Sequence, residues 1–102
     1  MPLLRREDHL FPREGGGRMI HDLKILPDFF DALNNGVKTC EIRQEDDRRF
    51  SVGNTLSLLE WSQSQGYTGR SCSAAVTHII RHDDFPKGVP EGYAVLSLTV
   101  VG

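Results

Sequence analysis

Cysteine is scarce in this sequence: Cys40 and Cys72 are the only two, and they lack the C-x-x-C spacing of a redox or zinc motif. Without a secretory segment to carry them into an oxidising compartment, reduced, buried thiols are expected rather than a disulfide. No apolar run approaches the ~20 residues that span a bilayer, and the N-terminus lacks the apolar core of a signal peptide. A cytoplasmic protein without a membrane partner is therefore expected. Cys72, His78 and His82 have the wrong spacing for a closed zinc site and no second Cys/His pair accompanies them, so neither a metal nor a cofactor is expected. Internal repeats, a phosphate-cradling glycine loop and a nucleophile elbow are also missing. So is strand–helix alternation, which excludes a parallel doubly wound sheet.

Charge of one sign is not abundant either. The net charge is −2. Residues 1–18 hold four arginines against three acids, leaving eight cations against eleven acids, a balance of −3, for residues 19–102. An acidic body argues against strong non-specific duplex binding, which relies on neutralising many phosphates. It leaves room for a small local site, because Lys38, Arg43, Arg48, Arg49, Arg70 and Arg81 fall at expected strand ends and loops.

At 102 residues, with 38% apolar and 25% charged residues, the chain suits one small globular domain. Residues 1–18 combine scattered charge, Pro2, Pro12 and the Gly15-Gly16-Gly17 run, and read as a flexible extension ahead of a domain at 19–102. Alternation predicts strands over Ile20–Leu26, Lys38–Arg43, Thr55–Trp61, Ser73–Arg81 and Tyr93–Val101, where Thr55–Trp61 has either both faces covered or a bulge near Leu58-Leu59. His21 is expected at the core's margin. Pro27 and Asp28 open a short helix with an apolar stripe of Phe29, Phe30 and Leu33, stopped by Asn34-Asn35-Gly36. Gln44–Ser51 reads as a polar loop pinned by Phe50, Val52-Gly53-Asn54 as a turn, and Tyr67-Thr68-Gly69-Arg70 as a second turn-like segment. About five strands with one or two short helices make a mixed, mainly β fold, for which a small closed or nearly closed barrel fits.

The chemistry concentrates in Gly36-Val37-Lys38-Thr39-Cys40-Glu41-Ile42-Arg43, a charged strand entered from a glycine turn. In an extended segment Cys40 and Ile42 point one way while Thr39, Glu41 and Arg43 point the other, with Lys38 at the strand's mouth. A cation, an acid and a guanidinium so close together suit an anionic planar ligand or proton transfer. The same residues also suit a surface ion pair of little consequence.

The pattern G-x-K-x-x-E-x-R, with the short helix before it and Val52-Gly53-Asn54 after it, resembles the ASCH domain of the PUA-like superfamily. Met19-Ile20-His21-Asp22-Leu23-Lys24-Ile25, Phe30, Phe50, Glu60-Trp61, Tyr67-Thr68-Gly69-Arg70, Val76-Thr77 and Gly92-Tyr93 extend the likeness to a small phage and bacterial branch of unknown function. The resemblance implies a compact β-barrel with flanking helices and a cleft beside strand 38–43, associated with RNA or modified nucleosides. Some relatives hydrolyse an acylated cytidine and others are ribonucleases. In the hydrolase branch a threonine stands where this chain has Glu41, so that nucleophile does not carry over, and Thr39 is out of phase to replace it. At Asn54 the family commonly has aspartate.

Three functions follow as expectations. The first is a monomeric RNA- or nucleotide-binding module, with Lys38, Glu41, Arg43, Arg48, Trp61, Tyr67 and Arg70 as binding residues. Cations would hold phosphates; Glu41 and an aromatic would hold a base. The second is an enzyme acting on RNA or a modified nucleoside, with Lys38 and Glu41 as acid and base. The third is a small protein-interaction domain of phage origin.

Overall fold

The computed structural model describes residues 13–15 and 18–101. Among these residues lie six strands, β1 (Arg13–Gly15), β2 (Arg18–Ile25), β3 (Cys40–Gln44), β4 (Thr55–Ser62), β5 (Gly66–Arg81) and β6 (Tyr93–Val101), and one helix, α1 (Pro27–Asn34). They form one sheet in the order β1-β2-β4-β5-β6-β3. β2 and β4 run parallel, and every other neighbouring pair is antiparallel. Of the segment 1–18, expected to be a flexible extension, residues 1–12, 16 and 17 lie outside the described residues, and Arg13–Gly15 is a strand paired with Arg18–Ile20.

The buried side chains alternate as a half-buried sheet demands: Leu23 and Ile25 on β2, Leu56 and Leu58 on β4, Ala94, Leu96 and Leu98 on β6. Phe50 and the helix residues Phe30 and Leu33 cover them. Phe30 and Leu33 are three apart and share a helix face, whereas Phe29 is 52% exposed, so the apolar stripe is narrower than expected. Pro27 occupies the first turn of α1, where no backbone N–H is needed, and Asp28 sits at the positive end of the dipole. The helix ends where Asn35 N donates to Asp31 O and Gly36 takes a φ of +85°, which glycine adopts without strain. Lys38 N then donates to Ala32 O at 2.9 Å, fixing where the chain enters β3.

Two irregularities re-phase β5. Thr77 is an extra residue between the Val76–Leu98 and His78–Ser97 pairs, so Val76 and Ile79, rather than Val76 and Ile80, face inward. Opposite β4, the residues Thr68, Gly69 and Arg70 face the single residue Glu60 between the Leu59–Ser71 and Trp61–Tyr67 pairs. The segment expected to be a turn is therefore a wide bulge inside one 16-residue strand.

The expected closed barrel is not formed. Among the described residues β3 pairs with β6 and leaves its other edge without a strand partner, and β2 meets β1 only as far as Ile20. The sheet nevertheless curls until these two edges face each other across a seam. Arg43 on β3 donates from Nη2 to Lys24 O at 2.7 Å, and Arg48 donates to Asp22 O at 3.3 Å. Guanidinium groups thus satisfy carbonyls of β2 that a neighbouring strand would otherwise take.

Candidate functional site

The seam is built from β3 upward. Glu41 lies opposite Leu96 and Arg43 opposite Ala94, and both partners are buried, so the charged face of β3 turns inward. Ile42 is 63% exposed, and Cys40, expected buried, is also exposed. The apolar pair faces solvent because β6 imposes the phase of β3. Glu41 is left buried at the mouth of the core.

Burial obliges the carboxylate to find partners. Lys38 Nζ lies 2.7 Å from Oε1 and Arg43 Nε 2.7 Å from Oε2. Lys38 also donates to Cys40 O, which folds its flexible stem back over the strand. Oε2 therefore accepts a hydrogen bond from Arg43, and Oε1 is ion-paired with Lys38. A carboxylate has about four lone-pair sites, so acceptor capacity remains.

These three side chains border a hollow of about 500 Å³, bounded also by Lys24 and Ile25 from β2, Leu26, Phe29 from α1 and Ile42. Its lips are apolar: Leu26 is 49% exposed and Phe29 52%. Lys38 Nζ stands 5.7 Å from the Phe29 ring centroid, and Lys24 Nζ lies 4.2 Å from that of Trp61 and 5.6 Å from that of Tyr67. Three cations against one carboxylate give the seam a local excess of positive charge on an otherwise acidic body. Chemically, such a surface would suit a planar ligand that is apolar on its faces, has N–H donors on an edge and carries an anion.

The remaining residues expected at the site divide. Trp61 and Tyr67 adjoin the hollow through Lys24. Arg48 does not project to a rim: its side chain is 6% exposed and spans Asp22 O and the Asp47 carboxylate. Arg70 is committed elsewhere, donating from Nε and Nη2 to the two oxygens of Glu60 at 2.8 Å each, and from Nη2 to Asp31 at 3.0 Å. Thr68 Oγ1 adds a third bond to Glu60 at 2.6 Å. Arg70, helped by Thr68, holds the Glu60 carboxyl at about 2, and the two acids push the Arg70 guanidinium up. With its carbon 4.6 Å from the Phe30 ring, Arg70 ties α1 to the bulge of β5. Residues that the sequence reading missed are Lys24, Leu26, Phe29 and Ile42, which assemble only when the sheet curls.

Two further polar groups are structural. Arg81 donates to both oxygens of Glu45, at 2.8 and 3.0 Å, and to Phe50 O, while Phe50 N donates to Glu45. These bonds hold the Glu45 carboxyl below the usual carboxylate range. His21 is buried against the Phe50 ring, their centroids 4.7 Å apart. Asn54 Oδ1 accepts from Ser51 N, which fixes it as an acceptor, so His21 Nε2 donates to it at 2.9 Å. Among the described residues Nδ1 is then a buried lone pair without a partner, and burial lowers the imidazole pKa. Cys72 is buried among the core residues, and burial, with a smaller effect from Glu41, pushes its thiol up. Among the described residues no helix is long and apolar enough to cross a membrane.

Comparison with known proteins adds two findings. The model of a family described as "Domain of unknown function (DUF3850)" matches residues 20–98, which includes every residue of the seam. A relative from Escherichia phage P2, the "Uncharacterized 12.9 kDa protein in GpA 3'region", is 36% identical over 66 residues. That match covers 65% of this chain and 59% of the phage protein.

Proposed function

The chain belongs to the DUF3850 family, and from that premise we propose that the seam between β2 and β3 binds a nucleotide presented by single-stranded RNA. One observation carries the reading: Lys38, Glu41 and Arg43 converge on one hollow with apolar lips. The spare acceptor capacity of Glu41 suits the N–H edge of a base, Phe29 offers a stacking surface, and Lys38 and Lys24 suit the phosphate. Kinship with the ASCH domain of the PUA-like superfamily belongs to the same proposal. Its support is the Gly36–Arg43 pattern together with a mainly β sheet that has its cleft beside that strand.

Calorimetric titration of a short single-stranded RNA into the wild type, K38A and R43A tests this. With two or three phosphate contacts, wild-type binding should be modest, with a logarithmic salt slope of about −1.4 to −2. Each variant should bind at least about tenfold more weakly while keeping its circular dichroism spectrum. Identical isotherms for the three proteins would rule the proposal out.

A second reading has an observation of its own. Lys38 Nζ and Glu41 Oε1 sit 2.7 Å apart in a largely apolar hollow, the arrangement of an acid and a base within reach of one substrate. Turnover of RNA or of an acylated nucleoside above stoichiometry, lost in K38A, would identify a hydrolase, since a passive binder releases no product.

A further inference from the structure

We propose that the site takes two successive nucleotides, the second base stacking on Trp61 and Tyr67 and Lys24 pairing with the phosphate between them. This rests on the reading of the seam given above and extends it to a second subsite.

The argument starts from β-sheet parity. Lys24 lies on the outward face of β2, opposite Leu59, while its neighbours Leu23 and Ile25 face the core. Trp61 and Tyr67 form a cross-strand pair on that same outward face. The Lys24 ammonium lies over both rings, nearer to Trp61, yet the residue also borders the seam. One lysine thus borders both the hollow, which at about 500 Å³ has room for a base, and an aromatic pair. Tyr67 is 43% exposed and Trp61 is half-buried, so the pair offers ring surface next to the hollow.

Charge complementarity selects the occupant. An ammonium resting on two aromatic rings is held weakly, by cation–π attraction at a partly exposed site. A phosphate gives it a stronger, charge-assisted partner, and moving Lys24 onto that phosphate takes the ammonium off the ring surface where the next base stacks. A mononucleotide can draw Lys24 onto its phosphate but brings no second base to the rings. A dinucleotide uses the hollow, the bridging phosphate and the rings together. Base–aromatic stacking is strong enough that the second subsite should improve affinity about tenfold or more.

The experiment compares the four ribonucleoside 5′-monophosphates with ApA, CpC, GpG and UpU by calorimetry on the wild type, W61A, Y67A and W61F, each variant checked for a native thermal transition. The preferred dinucleotide should bind the wild type about tenfold more tightly than its mononucleotide. That ratio should fall toward one in W61A, fall in Y67A and persist in W61F, which keeps a stacking ring. Mononucleotide binding with a wild-type ratio near one, or a ratio unchanged in W61A and Y67A, would overturn the second subsite and leave the seam reading standing. Absence of binding by either class would overturn both.

Discussion

Two buried glutamates in this small protein sit under similar burial and do opposite things. Glu60, 3% exposed, accepts three hydrogen bonds, two from Arg70 and one from Thr68, and its guanidinium partner goes on to grip Asp31 of α1. Glu41, 5% exposed, is held by two different cations, one at each oxygen, and borders the hollow of about 500 Å³. A bidentate, nearly saturated carboxylate is a fastener. One held by separate cations at the edge of a hollow keeps capacity for something else. Glu45 with Arg81 and Phe50 belongs with the fasteners.

Deleting a fastener should cost the most. R81A leaves the Glu45 carboxylate and Phe50 O without their guanidinium, and the unfolding free energy measured in urea should fall by about 3 kcal/mol. K38A removes one cation from Glu41 but leaves Arg43 on it, so stability should fall by less, by about 1 kcal/mol. Comparable losses in both variants would erase the distinction between fastener and site.

Acid titration sharpens the same contrast. The folded pKa of Glu60 is about 2, against an ordinary 4.5. The stabilisation that Arg70 and Thr68 give is therefore complete above about 4.5 and is lost as pH falls toward 2. E60Q should flatten the stability profile in that window. A profile as steep as the wild type's would show that Glu60 is not the group responsible.

The smallest effect concerns His21. Its folded pKa lies below 6.5, so the unfolded chain takes up the proton first and stability declines as pH falls below 6.5. N54D places a carboxylate at the atom 2.9 Å from Nε2 and should raise the imidazole pKa by about 1 unit or more, as read from its NMR titration. An unmoved titration would mean that the Asn54 contact does not govern the ring.

Local pattern carried much of this molecule. Alternation located β2, β4 and β6 to within a residue or two, and Pro27 with Asn35-Gly36 bracketed α1. What escaped was non-local. Cys40 and Ile42 look like an inward pair until β6 sets the register of β3 and buries Glu41 instead. The turn-like Thr68-Gly69-Arg70 segment is a bulge whose purpose, aiming two donors at one carboxylate, becomes visible only beside Glu60. Barrel closure failed as an expectation because nothing in the alternation tells that arginine side chains, not a strand, meet the carbonyls of Asp22 and Lys24. The Lys38–Glu41–Arg43 cluster was legible because its members are two or three residues apart. Lys24, Leu26 and Phe29 joined it only through the curl of the sheet.

The most direct test of the seam as a binding site is an amide chemical-shift map recorded while a ribonucleoside monophosphate is titrated into the labelled protein. The account predicts saturable shifts concentrated at Lys24–Leu26, Phe29 and Lys38–Arg43, with the Glu60–Arg70 fastener unmoved. Shifts centred on Arg70 and Asp31, or none at millimolar ligand, would contradict it.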